Sequence, residues 1–393
     1  MKTLIELYDE RPLENVLSTE MFRPERTILL VPDELENLES YERKLQDYFR
    51  FRGIYTPYTF ETVDMYNTND VYEKLVELAN MYDDLTIDIT GGTDAALFAT
   101  GLLSQDLPVS VMTYSRRKNK YFSIQNAQFA DEMECNVHFN VESFLRMAGG
   151  AMRRGRFDQN VLENHIDYID PFFNVYLAHK KSWLRTITYI QNISLDSNQS
   201  MYAQGKRTVR TDTGKVSPND ELLEAFQQIG LIHRLHLGNE EISFEFHDHE
   251  IRFWLRDIGS VLELYVYKAC LDIGFYDDVV CSAVVDWEGD GKQSNVTNEI
   301  DVLACREVSP FFISCKTNSV KTEALNELAV LRNRFGGLMA HSAIVTTSKG
   351  GAMMKRRAIE LNIHVIDIDI LKKGELKEAL KAASKRSLDK GKE

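Results

Sequence analysis

The stretch NEIDVLACREVSPFFISCKT, residues 298–317, has the pattern of two adjacent β-strands with charged residues at their ends. Glu299 and Asp301 stand near the start of the first strand, and Lys316 follows the apolar run of the second, which we expect to bury it. Charges at such positions are costly unless they are paired or bind an ion. The stretch therefore predicts either a structural ion pair or half of a metal-dependent active site.

The flanking patterns set the order of elements around this stretch. A helix at 260–274 carries Glu263, and a strand at 279–287 with a glycine-rich turn at 288–295 follows it. A helix at 320–337 comes after Lys316. Because side chains alternate along a strand, Glu299 and Asp301 share one face, and both can point at the same site.

Length and composition limit the class of protein to which this chain can belong. The chain has 393 residues, of which 44% are hydrophobic and 27% charged, so it is long enough for two or three domains. Five cysteines are scattered without CxxC spacing, which indicates reduced thiols in the cytoplasm. No apolar run approaches the roughly 18 residues of a membrane helix, and the start lacks a signal-peptide pattern, so we expect no membrane partner.

Charge is distributed unevenly along the chain. Residues 1–150 carry 14 Lys/Arg against 26 Asp/Glu, a net charge of −12, whereas residues 151–215 carry 10 against 6, a net charge of +4. The acidic balance argues against tight, indiscriminate binding of nucleic acid. The basic runs MRRGR at 152–156 and GKRTVR at 205–210 either guide a nucleic-acid strand or form a solvated face.

The first 150 residues alternate strand-like and helix-like patterns, which predicts a doubly wound parallel sheet. Such sheets bind ligands outside the carboxyl ends of their strands. In the turn DITGGT, residues 88–93, two glycines permit close approach of the backbone, and Thr93 opens a helix whose amide donors favour an anion. Arg116 and Arg117 follow the strand at 109–115, and we expect them to face the same crevice.

The arrangement of Glu263, Asp301 and Lys316 resembles the PD-(D/E)XK nuclease superfamily, which has a restriction-endonuclease-like α/β fold. The resemblance implies that Glu263 and Asp301 hold Mn²⁺ or Mg²⁺, and that Lys316 orients or activates water or stabilises the transition state. Ser314 stands where the superfamily usually has an acid two residues before the lysine, so it is a weak, uncharged candidate. The further candidate ligands are the Cys315 backbone carbonyl, Glu299, Glu323 and Glu327.

The amino-terminal half resembles a CARF domain, the Rossmann-like sensor of CRISPR-associated proteins. The resemblance rests on the loop at 9–15, the DITGGT turn and the segment MTYSRRKNKYF at 112–122. Family members often carry a lysine after the threonine of the turn, whereas this chain has Asp94, which removes a phosphate partner. The implied ligand-binding residues are Asp9, Glu10, Arg11, Pro12, Thr90, Gly91, Gly92, Thr93, Arg116 and Arg117.

Together the two halves resemble the cyclic-oligoadenylate-activated ancillary nucleases of type III CRISPR systems. The resemblance implies a cytoplasmic homodimer in antiviral defence that binds cyclic tetra-adenylate, cuts single-stranded DNA and RNA, and nicks supercoiled DNA. The corresponding domains are a CARF domain at 1–150, a basic connector at 151–215 that can include a hairpin, and a nuclease domain at 216–393. Residues 217–258 are either a small winged-helix-like piece or the opening of the nuclease domain.

Two alternatives remain open at this stage. Ser314 favours a non-catalytic cyclic-oligoadenylate sensor or DNA-binding regulator, in which the nuclease core is degenerate and residues 217–258 bind DNA. The retention of Glu263, Asp301 and Lys316 in the proper order argues against it. Independently, the CARF crevice could slowly cleave its own ligand, and the sequence does not decide this.

Overall fold

The computed structural model describes residues 1–153, 155–194, 200–212, 214–288 and 296–385. The glycine-rich turn expected at 288–295 lies outside the described residues, apart from Glu288. In the described part of the chain, two six-stranded sheets stand at the two ends of the sequence, with smaller sheets between them. No helix in these ranges is long and apolar enough to cross a bilayer.

The first sheet is built from the first 125 residues. β1 to β5 pair in parallel and β6 pairs antiparallel with β5, in the order β3-β2-β1-β4-β5-β6. Every residue of β1 and β4 is buried, as expected of strands covered by helices on both faces. The strands are β1 (Thr3–Leu7), β2 (Arg26–Pro32), β3 (Tyr58–Val63), β4 (Leu85–Asp88), β5 (Ser110–Ser115) and β6 (Lys120–Gln125).

The connecting helices make this the doubly wound sheet that the sequence predicts. They are α1 (Leu17–Phe22), α2 (Leu38–Phe51), α3 (Thr68–Met81) and α4 (Asp94–Asp106). Thr93 caps α4, because its Oγ1 accepts the N–H of Ala96 at 3.2 Å. From β1 the strand order runs through β2 to β3 on one side, and from β4 it runs through β5 to β6 on the other. The switch point, at which ligands bind such sheets, therefore lies between β1 and β4.

The second large sheet is mixed, with the order β17-β16-β15-β14-β13-β7. β7, β13, β14 and β15 pair antiparallel, whereas β15, β16 and β17 pair in parallel. Its elements are β7 (Ala151–Arg153), α11 (Ser260–Ile273), β13 (Asp278–Asp286), β14 (Thr297–Arg306), β15 (Ser309–Lys316), α12 (Thr322–Leu331), β16 (His341–Thr346), α13 (Ala352–Glu360), β17 (His364–Ile366), α14 (Ile368–Lys373) and α15 (Leu376–Ala383).

The segment between the large sheets has more helix than strand and packs on the second one. Residues 151–215, expected to be a connector, contain in their described part β7 of that sheet and three helices. The rings of Phe173 and Tyr265 stack with centroids 3.7 Å apart, which joins α7 to α11. β9 and β10 form a hairpin, and β8, β12 and β11 form a small antiparallel sheet. The elements are α5 (Val141–Met147), α6 (Gln159–Asn164), α7 (Ile166–Ala178), α8 (Lys180–Ile193), β8 (Tyr202–Lys206), β9 (Val209–Thr211), β10 (Gly214–Val216), α9 (Asp220–Gln228), β11 (Ile232–Leu237), β12 (Glu241–Phe246) and α10 (His249–Trp254).

Helix α5 joins the two halves of the chain. It packs against α2 on one side and against β13 and β14 on the other. Its first residue, Val141, donates its backbone N–H to Asp278 Oδ2 at 2.8 Å, and the Phe144 ring lies 5.9 Å from that of Phe312. A single buried apolar cluster therefore runs from the first sheet into the second.

Candidate active site and ligand crevice

Strands β14 and β15 stop pairing where the predicted acid and lysine stand. The last backbone pair is Val302 with Ile313, and the next residues outward are Asp301 and Ser314. Asp301 Oδ2 accepts the backbone N–H of Cys315 at 2.6 Å, so its side chain takes the place of a main-chain acceptor on β14. The end of the strand ladder thereby fixes the Asp301 carboxylate.

Two more donors converge on the same oxygen of Asp301. Ser314 Oγ donates to Oδ2 at 3.1 Å, and Lys316 Nζ donates to it at 3.2 Å. Burial lowers the pKa of Lys316, but the neighbouring Asp301 carboxylate outweighs it and raises the pKa above its usual value. The expectation of a buried lysine is wrong, because Lys316 ends β15 and 40% of its side chain is exposed. A charged, partly exposed ammonium group therefore stands beside the carboxylate.

Glu263 lies in the first turn of α11 and is buried. Burial, and after it the negative charge of Asp301, raise the pKa of Glu263 to about 8, although Arg156 acts in the opposite direction. Helix α11 packs on β14, and the Arg156 guanidinium contacts both Glu263 and Glu299, which places Glu263 at the end of β14. The structure therefore gathers Glu263, Asp301, Ser314 and Lys316 in one place.

Glu299 joins the same cluster from β14, two residues before Asp301. Its Oε1 accepts the Arg156 Nε–H at 2.6 Å and a hydrogen bond from Ser282 Oγ. Ser282 lies in β13 at an interruption of the pairing with β14, where its φ is +55°. An irregular position in β13 thus holds Glu299 toward the cluster.

Arg156 is the residue that the sequence analysis missed. Its guanidinium donates to Glu263 Oε2 and Glu299 Oε1, and its Nη1 lies 3.4 Å from Asp257 Oδ2. The basic run at 152–156 was expected to guide a nucleic-acid strand or to be a solvated face. Its described arginines instead form ion pairs within the protein, Arg153 with Asp286 and Arg156 with this cluster. No local pattern points to Arg156, and the requirement for glycine at position 155 is visible only in the fold, where a Cβ would lie 1.8 Å from the Ser282 carbonyl oxygen.

The remaining candidate ligands are arranged differently. Glu327 Oε1 accepts the Asn298 amide at 3.1 Å, and Glu323 is exposed in the first turn of α12. The backbone of Cys315 contacts Asp301 through its N–H, and ligation through its carbonyl stays a prediction.

The donor set fits a divalent cation in its chemistry. Glu263, Glu299 and Asp301 supply carboxylate oxygens, which hard cations such as Mg²⁺ and Mn²⁺ prefer. Within the described ranges no group of three His, Cys, Asp or Glu side chains is arranged to hold a metal ion. The Arg156 guanidinium lies among the carboxylates instead. One oxygen of Asp301, Oδ2, accepts all three of the hydrogen bonds described above.

A crevice of about 510 Å³ lies at the switch point of the first sheet. Of the residues that the resemblance implies, Asp9, Glu10, Arg11, Gly92 and Thr93 line it. Among the described lining residues Arg11 is the one cation, and the lining carboxylates are those of Asp9, Glu10, Glu34 and Glu36.

The loop that carries Arg11 is held by its own hydrogen bonds. Asp9 Oδ1 accepts the backbone N–H of Arg11 at 2.9 Å and its Nε–H at 2.6 Å. Although burial raises the pKa of Asp9, these bonds from Arg11 lower it below its usual value. Asn15 closes the loop, with its Nδ2 donating to the Asp9 carbonyl at 2.6 Å. Pro12 begins a short 3-10 helix that ends at Asn15.

The DITGGT turn packs tightly against the end of β1. Gly92 has φ +97°, and a Cβ there would lie 2.9 Å from Cβ of Leu7. Thr90 lies behind the crevice, where its Oγ1 accepts the N–H of Tyr114 at 2.7 Å, and Gly91 lies against the Leu7 carbonyl. The close approach that the glycines permit is therefore to Leu7 at the end of β1, to its carbonyl oxygen at Gly91 and to its side chain at Gly92.

Arg116 and Arg117 do not line this crevice. Arg116 forms an ion pair with the buried Glu14, and both arginines line a second cavity of about 420 Å³. The opposite wall of that cavity contains Leu338, His341 and His364 of the second half of the chain. The turn after β5 packs toward the second sheet, so neither arginine lines the crevice as expected, although the charge of Arg116 helps to lower the pKa of Asp9 in the crevice.

One part of the chain matches a known protein family. Residues 249–387 match the family model of the Card1-like endonuclease domain. The matched range contains Glu263, Asp301, Ser314 and Lys316, and the resemblance drawn from the sequence is confirmed. A search of curated proteins found no match for this chain.

Two solved structures share the fold of nearly the whole chain. Protein VC1899 from Vibrio cholerae has a TM-score of 0.75 and 16% sequence identity, covering 97% of this chain and 98% of that one. Can2 from Sulfobacillus thermosulfidooxidans, solved in complex with cyclic tetra-adenylate, has a TM-score of 0.70 and 16% identity, covering 98% and 100%. The expected architecture, a CARF domain followed by a nuclease-like α/β domain, is confirmed.

Proposed function

We propose that this protein is a metal-dependent endonuclease that cyclic tetra-adenylate activates. The observation that carries the proposal is the convergence of Lys316 Nζ and the Cys315 N–H on Asp301 beside Glu263, within a domain that matches Card1-like endonucleases. Its substrates are single-stranded DNA and RNA, with nicking of supercoiled DNA, in type III CRISPR antiviral defence in the cytoplasm.

Glu263 and Asp301 hold Mn²⁺ or Mg²⁺ in this proposal, with Glu299 and the Cys315 carbonyl as further ligands. A bound divalent cation supplies Lewis acidity toward a phosphoryl oxygen and acidifies water. The chain's own contribution is the Lys316 ammonium, whose 3.2 Å contact with Asp301 directs it toward the same space. There it stabilises negative charge on the phosphate or positions the attacking water. Ser314 holds Asp301 in place through its hydroxyl.

The crevice at the first switch point is the proposed activator site. Arg11 offers a guanidinium to phosphate, and the N-terminus of α4 behind Gly92 and Thr93 favours an anion. Where two copies enclose one ring, each half-ring meets one Arg11 guanidinium and one helix N-terminus. The Can2 structure contains cyclic tetra-adenylate in a chain of the same fold.

A homodimer follows from the same argument and from the surface of α4. Phe98 and Leu102, one turn apart on this helix, are 63% and 42% exposed. An apolar stripe next to the crevice suits a two-fold contact in which the same surface meets its copy. In this proposal the chain divides into a CARF domain at 1–150, a basic connector at 151–215 and a nuclease domain at 216–393.

A second candidate is a non-catalytic sensor or DNA-binding regulator. Ser314 favours it, because it brings no charge to the position two residues before Lys316, and no three-ligand cage is preformed among the described residues.

Cleavage assays on the full chain separate the two candidates. Fluorescent single-stranded DNA, RNA and supercoiled plasmid are incubated with Mn²⁺, with and without cyclic tetra-adenylate, for the wild type, Lys316→Met and the exposed control Lys321→Met. We expect cutting that needs both metal and activator and that falls at least about 100-fold in Lys316→Met alone. Activator binding without cutting by the wild type would establish the sensor instead.

A further inference from the structure

Arg156 occupies the carboxylate cluster that the proposed function assigns to a metal ion. Its guanidinium bridges α11 and β14 through Glu263 and Glu299, and it also reaches Asp257 in the turn before α11. Three acids from three segments thus share one cation. Asp257 in turn accepts the backbone N–H of Ser260 at 2.6 Å, which ties the start of α11 to this contact.

The backbone around Arg156 is fixed on β13. The Arg156 N–H donates to Ser282 Oγ at 3.1 Å, and the Ser282 hydroxyl donates onward to Glu299. Gly155 packs so closely on the Ser282 carbonyl that no side chain fits at that position. The ring of the buried Phe157 lies 5.6 Å from the guanidinium on the other side. The position of the arginine is therefore built into the fold, while 30% of its side chain remains exposed to solvent.

We infer that Arg156 is an internal counterion that competes with a divalent cation for Glu263 and Glu299 and keeps the ligand-free site closed. This inference rests on the proposed nuclease function and names a regulation of that same site. Carboxylate oxygens that accept N–H donors from a guanidinium have those lone pairs engaged, and an adjacent positive charge repels a second cation. Arginine suits this role because its charge cannot be removed by deprotonation.

The placement of Arg156 in the chain connects it to the sensor half. It follows β7, which pairs with β13, and β7 follows α5, the helix that packs on both halves of the chain. A displacement of α5 that loosens β7 from β13 therefore also loosens the segment that carries the guanidinium. When activator binding withdraws Arg156 by this route, a divalent metal ion takes the place of the guanidinium between Glu263 and Glu299.

Metal binding measured without cleavage tests the inference. Mn²⁺ is titrated calorimetrically into the full-length wild type, Arg156→Ala, Asp301→Asn and the matched control Arg153→Ala, whose arginine pairs with Asp286 outside the cluster. We expect Arg156→Ala to bind Mn²⁺ at least about tenfold more tightly than the wild type, because the metal then no longer displaces the ion pairs of Arg156 with both Glu263 and Glu299. Arg153→Ala is expected to bind as the wild type does.

Thermal unfolding gives a second readout that a merely structural arginine would not produce. In EDTA, Arg156→Ala is expected to unfold at a lower temperature, because three carboxylates lose their counterion, and Mn²⁺ is expected to restore it more than it raises the wild type. Equal or weaker Mn²⁺ binding by Arg156→Ala overturns the inference, provided that Asp301→Asn abolishes binding. Binding that survives Asp301→Asn, or no binding by any of the chains, overturns the proposed metal centre together with the inference.

Discussion

The Asp301 carboxylate accepts the backbone N–H of Cys315 at 2.6 Å, at the point where β14 and β15 separate. One side chain therefore has two roles, closing the strand ladder and supplying a proposed metal ligand. Variants that separate hydrogen bonding from charge can distinguish these roles, because asparagine keeps an acceptor oxygen and alanine does not.

Asp301→Asn and Asp301→Ala are expected to differ in stability while both lose metal binding. Alanine leaves the Cys315 N–H without its side-chain acceptor, which lowers the free energy of unfolding by about 1–3 kcal/mol. Asparagine is expected to stay within about 1 kcal/mol of the wild type. Urea denaturation and Mn²⁺ calorimetry measure the two effects. Tight Mn²⁺ binding by either variant would contradict the assignment of Asp301 as a ligand.

Ser314→Glu is expected to strengthen Mn²⁺ binding by about tenfold or more, because it adds a carboxylate next to Asp301. The Ser314 Oγ lies 3.1 Å from Asp301 Oδ2, so a longer acidic side chain at this position reaches the same space. Without metal the added charge repels Asp301 and lowers stability by about 1 kcal/mol. Calorimetry and thermal unfolding in EDTA compare it with Ser314→Gln, which has the same size without the charge. Equal affinities for the two variants would exclude position 314 from the metal site.

Because Glu6 is buried in β1, we expect the stability of the fold to depend on pH. Burial raises its pKa from 4.5 to about 8, with Oε2 accepting the Tyr58 hydroxyl at 2.6 Å. Between these two values the native fold holds a proton that the unfolded chain releases, so the free energy of unfolding falls as pH rises and levels off above about 8.

Glu6→Gln is expected to remove that decline. Relative to the wild type, its free energy of unfolding rises by up to about 1.4 kcal/mol per pH unit within this window. Urea denaturation at several values between about pH 5 and 8 measures the difference, with the exposed Glu39→Gln as the control. A constant difference across the window would mean that Glu6 titrates normally.

Arg11→Ala is expected to weaken binding of cyclic tetra-adenylate by about tenfold or more, since it removes the guanidinium that lines the crevice. Calorimetry with the full chain measures the affinity, and Arg50→Ala is the control, because the Arg50 side chain is 73% exposed on α2. Unchanged affinity would place the phosphates away from this crevice.

Phe98→Asp is expected to convert a dimer into monomers, because it puts a charge in the exposed apolar stripe of α4. Met353→Asp is the control, since Met353 on α13 is 88% exposed and distant in sequence from that stripe. Sedimentation velocity gives the mass of each variant. A wild-type mass of one chain, or a dimeric Phe98→Asp, would contradict the proposed contact.

Local sequence patterns accounted for the order of elements from residue 260 onward and for the core of the candidate site, but not for helices α6, α7 and α8 in the segment expected to be a connector. Asp301 and Lys316 meet because they stand on strands joined by a short turn, so alternation along each strand and the turn length are enough to bring them together. Thr93 capping α4 is likewise a local signal. The exposure of Lys316 was misjudged, because an apolar run does not show where a strand emerges from its sheet.

The sequence by itself determined two α/β halves, with Glu263, Asp301 and Lys316 on a helix and two strands. The tertiary structure alone decided that Arg116 and Arg117 turn toward the second sheet, and that Arg156 lies among the carboxylates. Arg156 is separated from Glu263 by 107 positions and from Glu299 by 143. An ion pair between residues so far apart in the sequence leaves no periodic pattern in it. The pair depends on how β7 packs on β13 and not on the sequence neighbours of either residue.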